Sequence, residues 1–201
     1  MIVLVVTGGI GSGKSEVCRI LNDMGFCAQY NADKRAKALY TEHPALLSDI
    51  EDALGCVLTD EDGNFLPGKL AEKIFSDRSA LEKVEAHLFP VLIRDFEYYA
   101  GSSAADVVVF ESATVLEKPQ FEGFGDKIIL VDAPFETRLE RAARRDGAER
   151  EAVLARMNNQ KLMNALSEGF VDPRIDAVII NDSTVEELED KTRKIINSLI
   201  L

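Results

Sequence analysis

A chain of 201 residues with 46% hydrophobic side chains has the length of one ordinary domain and enough apolar surface to bury a core without metal or disulfide support. Its 35 acidic against 23 basic residues give a formal net charge of −12, which argues against sequence-independent binding to nucleic acid or to an anionic membrane; an anionic ligand must meet a local basic cluster. Cys18, Cys27 and Cys56 form no CxxC pair, so neither a disulfide framework nor a zinc site is suggested and a reducing, cytoplasmic setting fits best.

The first element is Ile2-Val3-Leu4-Val5-Val6, a continuous run of the kind buried on both faces of a parallel sheet, and it predicts a central strand. With no basic segment ahead of it, the run is too short for a signal peptide, and no later stretch could span a bilayer. It passes straight into Gly8-Gly9-Ile10-Gly11-Ser12-Gly13-Lys14-Ser15, which satisfies G-x-x-x-x-G-K-[ST], and then into a helical pattern containing Val17, Ile20 and Leu21. Glycines are required because successive backbone N–H groups must point inward at a polyphosphate, and a Cβ would block both the conformation and the approach. Lys14 is suited to neutralise β and γ phosphates, the helix start adds its positive dipole end, and the Ser15 hydroxyl is suited to Mg²⁺. The motif thus predicts a nucleotide site formed by Gly9, Gly11, Ser12, Gly13, Lys14, Ser15 and Glu16, with Ser15 as metal ligand.

A second strand is expected over Phe26 to Tyr30, and Asp33 follows it at the carboxyl edge where α/β proteins bind ligands. A carboxylate there can orient an attacking hydroxyl and take its proton, or it can cap a helix over Lys34 to Leu39. Helical patterns around Leu70-Ile74-Phe75 and Leu81-Val84-Leu88, separated from the earlier chain by the turn Asp60 to Asn64, predict a helical insertion over about 41–100. Apolar runs at Asp106 to Phe110, Lys127 to Val131 and Ala177 to Ile180 alternate with helices, so the core, about 1–40, 101–146 and 176–201, reads as an α/β doubly wound parallel sheet, the three-layer P-loop NTPase fold. Glu111 and Asp132 each end a strand, and one of the two is expected to hold a magnesium-bound water or activate a nucleophile. After Asp132-Ala133-Pro134, Arg138, Arg141 and Arg145 fall within roughly one 60° sector of a helix. That stripe is either an anion clamp or a solvated face balanced by Glu136, Glu140 and Asp146. Two helix-like pieces separated by Gly169 and Pro173 make a lid over about 147–175. His43 and His87 have no metal-ligand spacing. No N-K-x-D motif is present, and the Asp60 to Gly63 match to D-x-x-G lies in a polar turn, so a guanine-specific GTPase is disfavoured.

The string Thr7-Gly8-Gly9-Ile10-Gly11-Ser12-Gly13-Lys14-Ser15 resembles the P-loop of dephospho-coenzyme A kinases. Asn31-Ala32-Asp33 is similar to that family's D-A-D. Comparable elements follow in order at Glu111-Ser112-Ala113, Val131-Asp132-Ala133-Pro134, Arg141 with Arg144-Arg145-Asp146, Arg156 to Gln160 and Ile180-Asn181-Asp182. The resemblance implies a P-loop core, a helical substrate domain and a lid, with ATP and Mg²⁺ used to phosphorylate the ribose 3′-hydroxyl of dephospho-CoA. It further implies Asp33 as base, Lys14 and Arg141 as cationic clamp, Arg145 and Asn181 on the nucleotide, and Lys69, Arg94 and Leu116 on the substrate side. A monomer or small homo-oligomer is expected, with no nucleic acid or membrane partner. The departures are Glu16 after the P-loop hydroxyl, Asn31 for the first Asp, Phe89-Pro90 for His-Pro, no arginine ahead of Leu70, and a longer stretch over Lys161 to Ile175. A kinase for another small metabolite and a nucleotide-binding homologue without transfer activity are the alternatives.

Overall fold

The N-terminal apolar run becomes strand β1 (Ile2–Thr7), whose Leu4, Val5 and Val6 have no exposed surface because both faces of the strand are covered. In the computed structural model, which describes residues 1–25 and 27–200, β1 pairs in parallel with β3 (Val107–Glu111) and with β4 (Lys127–Asp132). β2 (Cys27–Asn31) lies beyond β3, and β5 (Ala177–Ile180) beyond β4, again in parallel. The order is therefore β2-β3-β1-β4-β5, with β1 in the centre as its pattern predicts. Phe26, expected to open the second strand, lies outside the described residues.

Register decides which residues meet at the carboxyl edge. Glu111 sits opposite both Val6 and Asn31, and Asp132 opposite Ile180. Both acidic residues are the last of their strands rather than the first beyond them, because a parallel partner continues the hydrogen-bonded ladder through them. One face of the sheet is covered by α1 (Lys14–Asp23) and α9 (Val185–Leu199), with Val17, Leu21, Leu188 and Ile196 packed among Ile129 and Ile179. Each such aliphatic side chain contributes about 1.5–3 kcal/mol on full burial. α9 begins where the Thr184 hydroxyl accepts the Glu187 N–H at 3.3 Å, a cap followed by acidic residues in the first turn.

α6 (Phe135–Asp146) stops at Gly147, which takes a left-handed φ of 58°, and a small apolar cluster of Leu139, Ala142, Val153 and Met157 packs it on α7 (Arg150–Asn158). α8 (Lys161–Ser167) follows. It forms the first half of the longer stretch over Lys161 to Ile175, and the second half has its own anchor: Arg174 pairs with Asp172 at 2.5 Å and donates to the Leu116 carbonyl at 3.0 Å.

All of this belongs to one compact unit, Met1–Asn31 with Ser103–Leu201; the second is Ala32–Ser102. That unit consists of α2 (Ala32–Glu42), α3 (Pro44–Leu54), α4 (Pro67–Ser76) and α5 (Arg78–Ser102). α2 clusters there, although the sequence pattern carries the core to about residue 40. A two-point ion pair of Arg35 with Asp95, at 2.9 and 2.8 Å, ties α2 to α5. The turn at Asp60 is held by its carboxylate, which accepts the N–H groups of Asp62 and Asn64. No helix among the described residues is long and apolar enough to cross a membrane.

Candidate functional site

Between β1 and α1 the glycine-rich loop takes a shape that side chains would prevent. Gly11 and Gly13 have φ of 75° and 98°, and a Cβ on them would fall 2.1 Å from the Arg138 carbonyl oxygen and from Asn181 Nδ2 respectively. Intrahelical bonding starts with the Glu16 N–H to the Gly13 carbonyl at 3.0 Å, so the amides of Lys14 and Ser15 precede the first internal bond of α1. Positive helix-dipole charge therefore concentrates on the loop. Lys14 Nζ folds back to donate to the carbonyls of Gly8 and Gly9 at 2.8 and 3.2 Å.

Arg141 and Arg145 join Gly11, Gly13, Lys14 and Ser15 around a cleft of about 200 Å³. Asn181, just beyond β5, donates through Nδ2 to the Ser12 carbonyl at 2.9 Å, and its own carbonyl accepts from Arg141 at 3.1 Å. It thus joins the loop to the arginine that walls the cleft. Arg145 pairs with Asp146 at 2.7 Å, and Arg156 of α7 reaches the same carboxylate at 2.6 Å. The hydrogen bonds from Arg145 and then Arg156 pull the Asp146 carboxyl down to about 2.

Two carboxylates end the neighbouring strands, and their surroundings differ. Glu111 receives the Ser15 hydroxyl on Oε1 at 2.7 Å and the Asn31 amide on Oε2 at 2.6 Å. A carboxylate at position 31 would instead set two negative charges side by side, so Asn31 suits this arrangement. Asp132 receives the Ser167 hydroxyl at 2.9 Å and lies 3.6 Å from Arg138 Nη1. Only Glu111 stands beside the loop hydroxyl. Ser15 and Glu111 form an oxygen-only donor pair, the chemistry Mg²⁺ prefers; among the described residues no group of three His, Cys, Asp or Glu could hold a metal, so such an ion would draw its other ligands from phosphates and water.

The arginine stripe splits. Arg141 and Arg145 line the cleft, whereas Arg138 is 1% exposed and lies against Gly9, where a Cβ would sit 2.2 Å from its Nη1. Arg138 is therefore neither part of an anion clamp nor a solvated residue: the first turn of α6 runs beneath the loop and buries it. Glu16 turns its carboxylate to Arg19 at 2.7 Å on the flank of α1. Ser12 is fully buried. Leu116, expected on the substrate side, is 5% exposed, so its side chain packs inside and only its carbonyl is used, by Arg174. In the helical unit Asp33 lies in the first turn of α2, inside the helix rather than at a cap before Lys34. Lys69 is exposed on α4, and Arg94 borders a cleft of about 490 Å³ with His43, Asp49, Val91 and Tyr98. Burial, then the charge of Glu111, pushes the Cys18 thiol well above its ordinary value, and burial lifts Cys27 to about 11, so neither supplies a thiolate near neutrality.

One residue at the loop carries no pattern of its own in the sequence. The Gln160 side-chain oxygen accepts the Ile10 N–H at 2.8 Å, across 150 residues of chain. A single amide between two helices has no periodicity, and only its place as the last residue of the Arg156 to Gln160 string marks it.

A profile of the dephospho-CoA kinase family matches residues 2–187. The chain is 37% identical over 172 residues to a dephospho-CoA kinase of Porphyromonas gingivalis, spanning 86% of this chain and 84% of that protein. It is 30% identical to a dephospho-CoA kinase of Fusobacterium nucleatum, over 96% of each. A solved Thermus thermophilus structure superposes with a TM-score of 0.81 at 28% identity, covering 100% of this chain and 98% of that one.

Proposed function

The chain belongs to the dephospho-CoA kinase family and uses ATP to phosphorylate dephospho-CoA, giving CoA; from this premise we propose which of its residues carry the transfer to the ribose 3′-hydroxyl. The observation that bears most weight is the loop itself, with its left-handed glycines, its lysine and the two cleft arginines gathered at one helix start. The amides at the start of α1 receive the triphosphate, and Lys14 exchanges the carbonyls of Gly8 and Gly9 for phosphate oxygens. Arg141, fixed by Asn181, lies along the nucleotide. Arg145 leaves or shares Asp146 to meet charge on the group in transfer, since guanidinium forks bind phosphate oxygens at two points.

Mg²⁺ fits beside the loop, held through Ser15 and, directly or through water, Glu111. When bound it supplies neutralisation of phosphate charge. Asp33 is the base: it accepts the proton of the attacking hydroxyl and holds that oxygen in line, a role supported by its place two residues after Asn31 and by the resemblance to D-A-D. Lys69 and Arg94, both exposed and cationic, are assigned to the anionic substrate. Three free cysteines support a cytoplasmic setting.

The test is incubation with Mg-ATP and dephospho-CoA, both products being followed by mass. Wild type is expected to yield CoA, Lys14→Ala to bind ATP poorly, and Asp33→Asn to lose about 10²-fold or more in rate with ATP binding retained. An Asp33→Asn enzyme that turns over at the wild-type rate would remove the base from this scheme.

A further inference from the structure

We propose that Gln160 is a positioning residue for the nucleotide loop, and that α8 is a brace fixed to that loop at both ends. The proposal rests on the reading of the loop as the ATP site. Gln160 immediately precedes α8, and its carboxamide oxygen accepts the N–H of Ile10, the residue between Gly9 and Gly11 on the loop. At the other end of α8, the Ser167 hydroxyl lies 2.9 Å from one oxygen of Asp132 and 3.0 Å from the Met163 carbonyl, and the charged carboxylate is the stronger acceptor for its one proton. The other oxygen of Asp132 lies 3.6 Å from Nη1 of Arg138, and Arg138, 1% exposed, packs its guanidinium against Gly9. α8 and the residue that precedes it thus reach the loop twice: Gln160 directly at Ile10, and Ser167 through Asp132 and Arg138 at Gly9.

This arrangement explains why an amide is used at position 160. A loop that presents several N–H groups to phosphate must be held open without closing on its own carbonyls, and an N–H left without an acceptor in a half-buried position is costly. A neutral acceptor supplied from the residue ahead of α8 occupies the Ile10 N–H and adds no negative charge beside the triphosphate. A carboxylate would accept the same N–H but repel phosphate. Gln160 touches neither the transferring group nor the acceptor hydroxyl in this scheme; it acts through the loop backbone.

The experiment uses the full chain titrated calorimetrically with Mg-ATP in the absence of acceptor, so the outcome does not depend on which alcohol is phosphorylated. Gln160→Met removes the acceptor at similar length, and Gln160→Glu restores one. Gln160→Met is expected to weaken ATP binding about tenfold and to speed hydrogen exchange at the Ile10 amide, while lowering the melting temperature by no more than the few degrees that one lost hydrogen bond costs. Gln160→Glu is expected to return slow exchange at Ile10 while ATP binding stays weak. Wild-type affinity and exchange in Gln160→Met would overturn the proposal, as would a loss of affinity that merely follows a general fall in melting temperature. Should wild type itself fail to bind ATP, the kinase reading fails, and the Ile10 exchange rates still decide whether α8 braces the loop.

Discussion

At the scale of single residues, the two strand-ending carboxylates show how the same sequence position yields different chemistry. Glu111 and Asp132 both follow four apolar residues in parallel strands on either side of β1. Glu111 is approached by a hydroxyl and an amide, whereas Asp132 lies beside a buried guanidinium and is engaged by α8. A sequence pattern can place both at the carboxyl edge, but only tertiary neighbours choose between them. If Glu111 helps to hold the metal, Glu111→Gln keeps the hydrogen-bonding shape toward Ser15 yet removes the charge. The expected outcome is that about tenfold more Mg²⁺ is needed for half-maximal turnover, with metal-free ATP affinity unchanged or slightly improved. Titrating activity against Mg²⁺ at fixed ATP checks this; an unchanged magnesium requirement would confine Glu111 to holding Ser15 and Asn31.

At the scale of elements, the parallel strands and the P-loop were legible because each is a local signal: a continuous apolar run, or glycines and a lysine at set spacing. β3 and β4 extend one residue past their apolar runs because ladder pairing admits a polar residue at the end. The fate of the arginine stripe was not legible, since helical angle alone does not reveal that the start of α6 passes beneath the loop and buries Arg138 while Arg141 and Arg145 stay at the cleft. Similarly, nothing local assigns α2 to the helical unit. The link between α6 and α7 carries a pH signature. Asp146, at the end of α6, has its carboxyl lowered from the ordinary 3.8 to about 2 by Arg145 and Arg156. A depressed carboxyl contributes stability that is fully present above its unfolded value and is lost as pH falls through the folded one. Wild type is therefore expected to exceed Asp146→Asn in melting temperature at pH 5 to 7, with the difference closing between about pH 4 and 2. A difference independent of pH over that window would show that the ion pairs contribute nothing to the fold of α6 and α7.

At the scale of the whole molecule, the residues proposed above to hold the nucleotide, from Gly9 to Ser15 with Arg141, Arg145 and Asn181, all lie in the unit containing the sheet, whereas Asp33, Lys69 and Arg94, proposed for the acceptor side, belong to Ala32–Ser102. On the proposed assignment the two substrates meet different parts of the chain, so their effects can be separated. Anything that binds the folded state alone stabilises it by mass action, about 2.7 kcal/mol at a hundredfold excess over Kd, and slows hydrogen exchange where it orders the backbone. Mg-ATP without acceptor is expected to slow exchange over residues 8–16 and around Asn181 while leaving α3, α4 and α5 as they are. Dephospho-CoA is expected to add protection on α4 and α5, at Lys69 and Arg94. Protection confined to α2 with normal turnover would keep Asp33 in the scheme and remove Lys69 and Arg94 from it, because exposed cations that meet no substrate would be serving only to offset the acidic surface of a chain carrying −12.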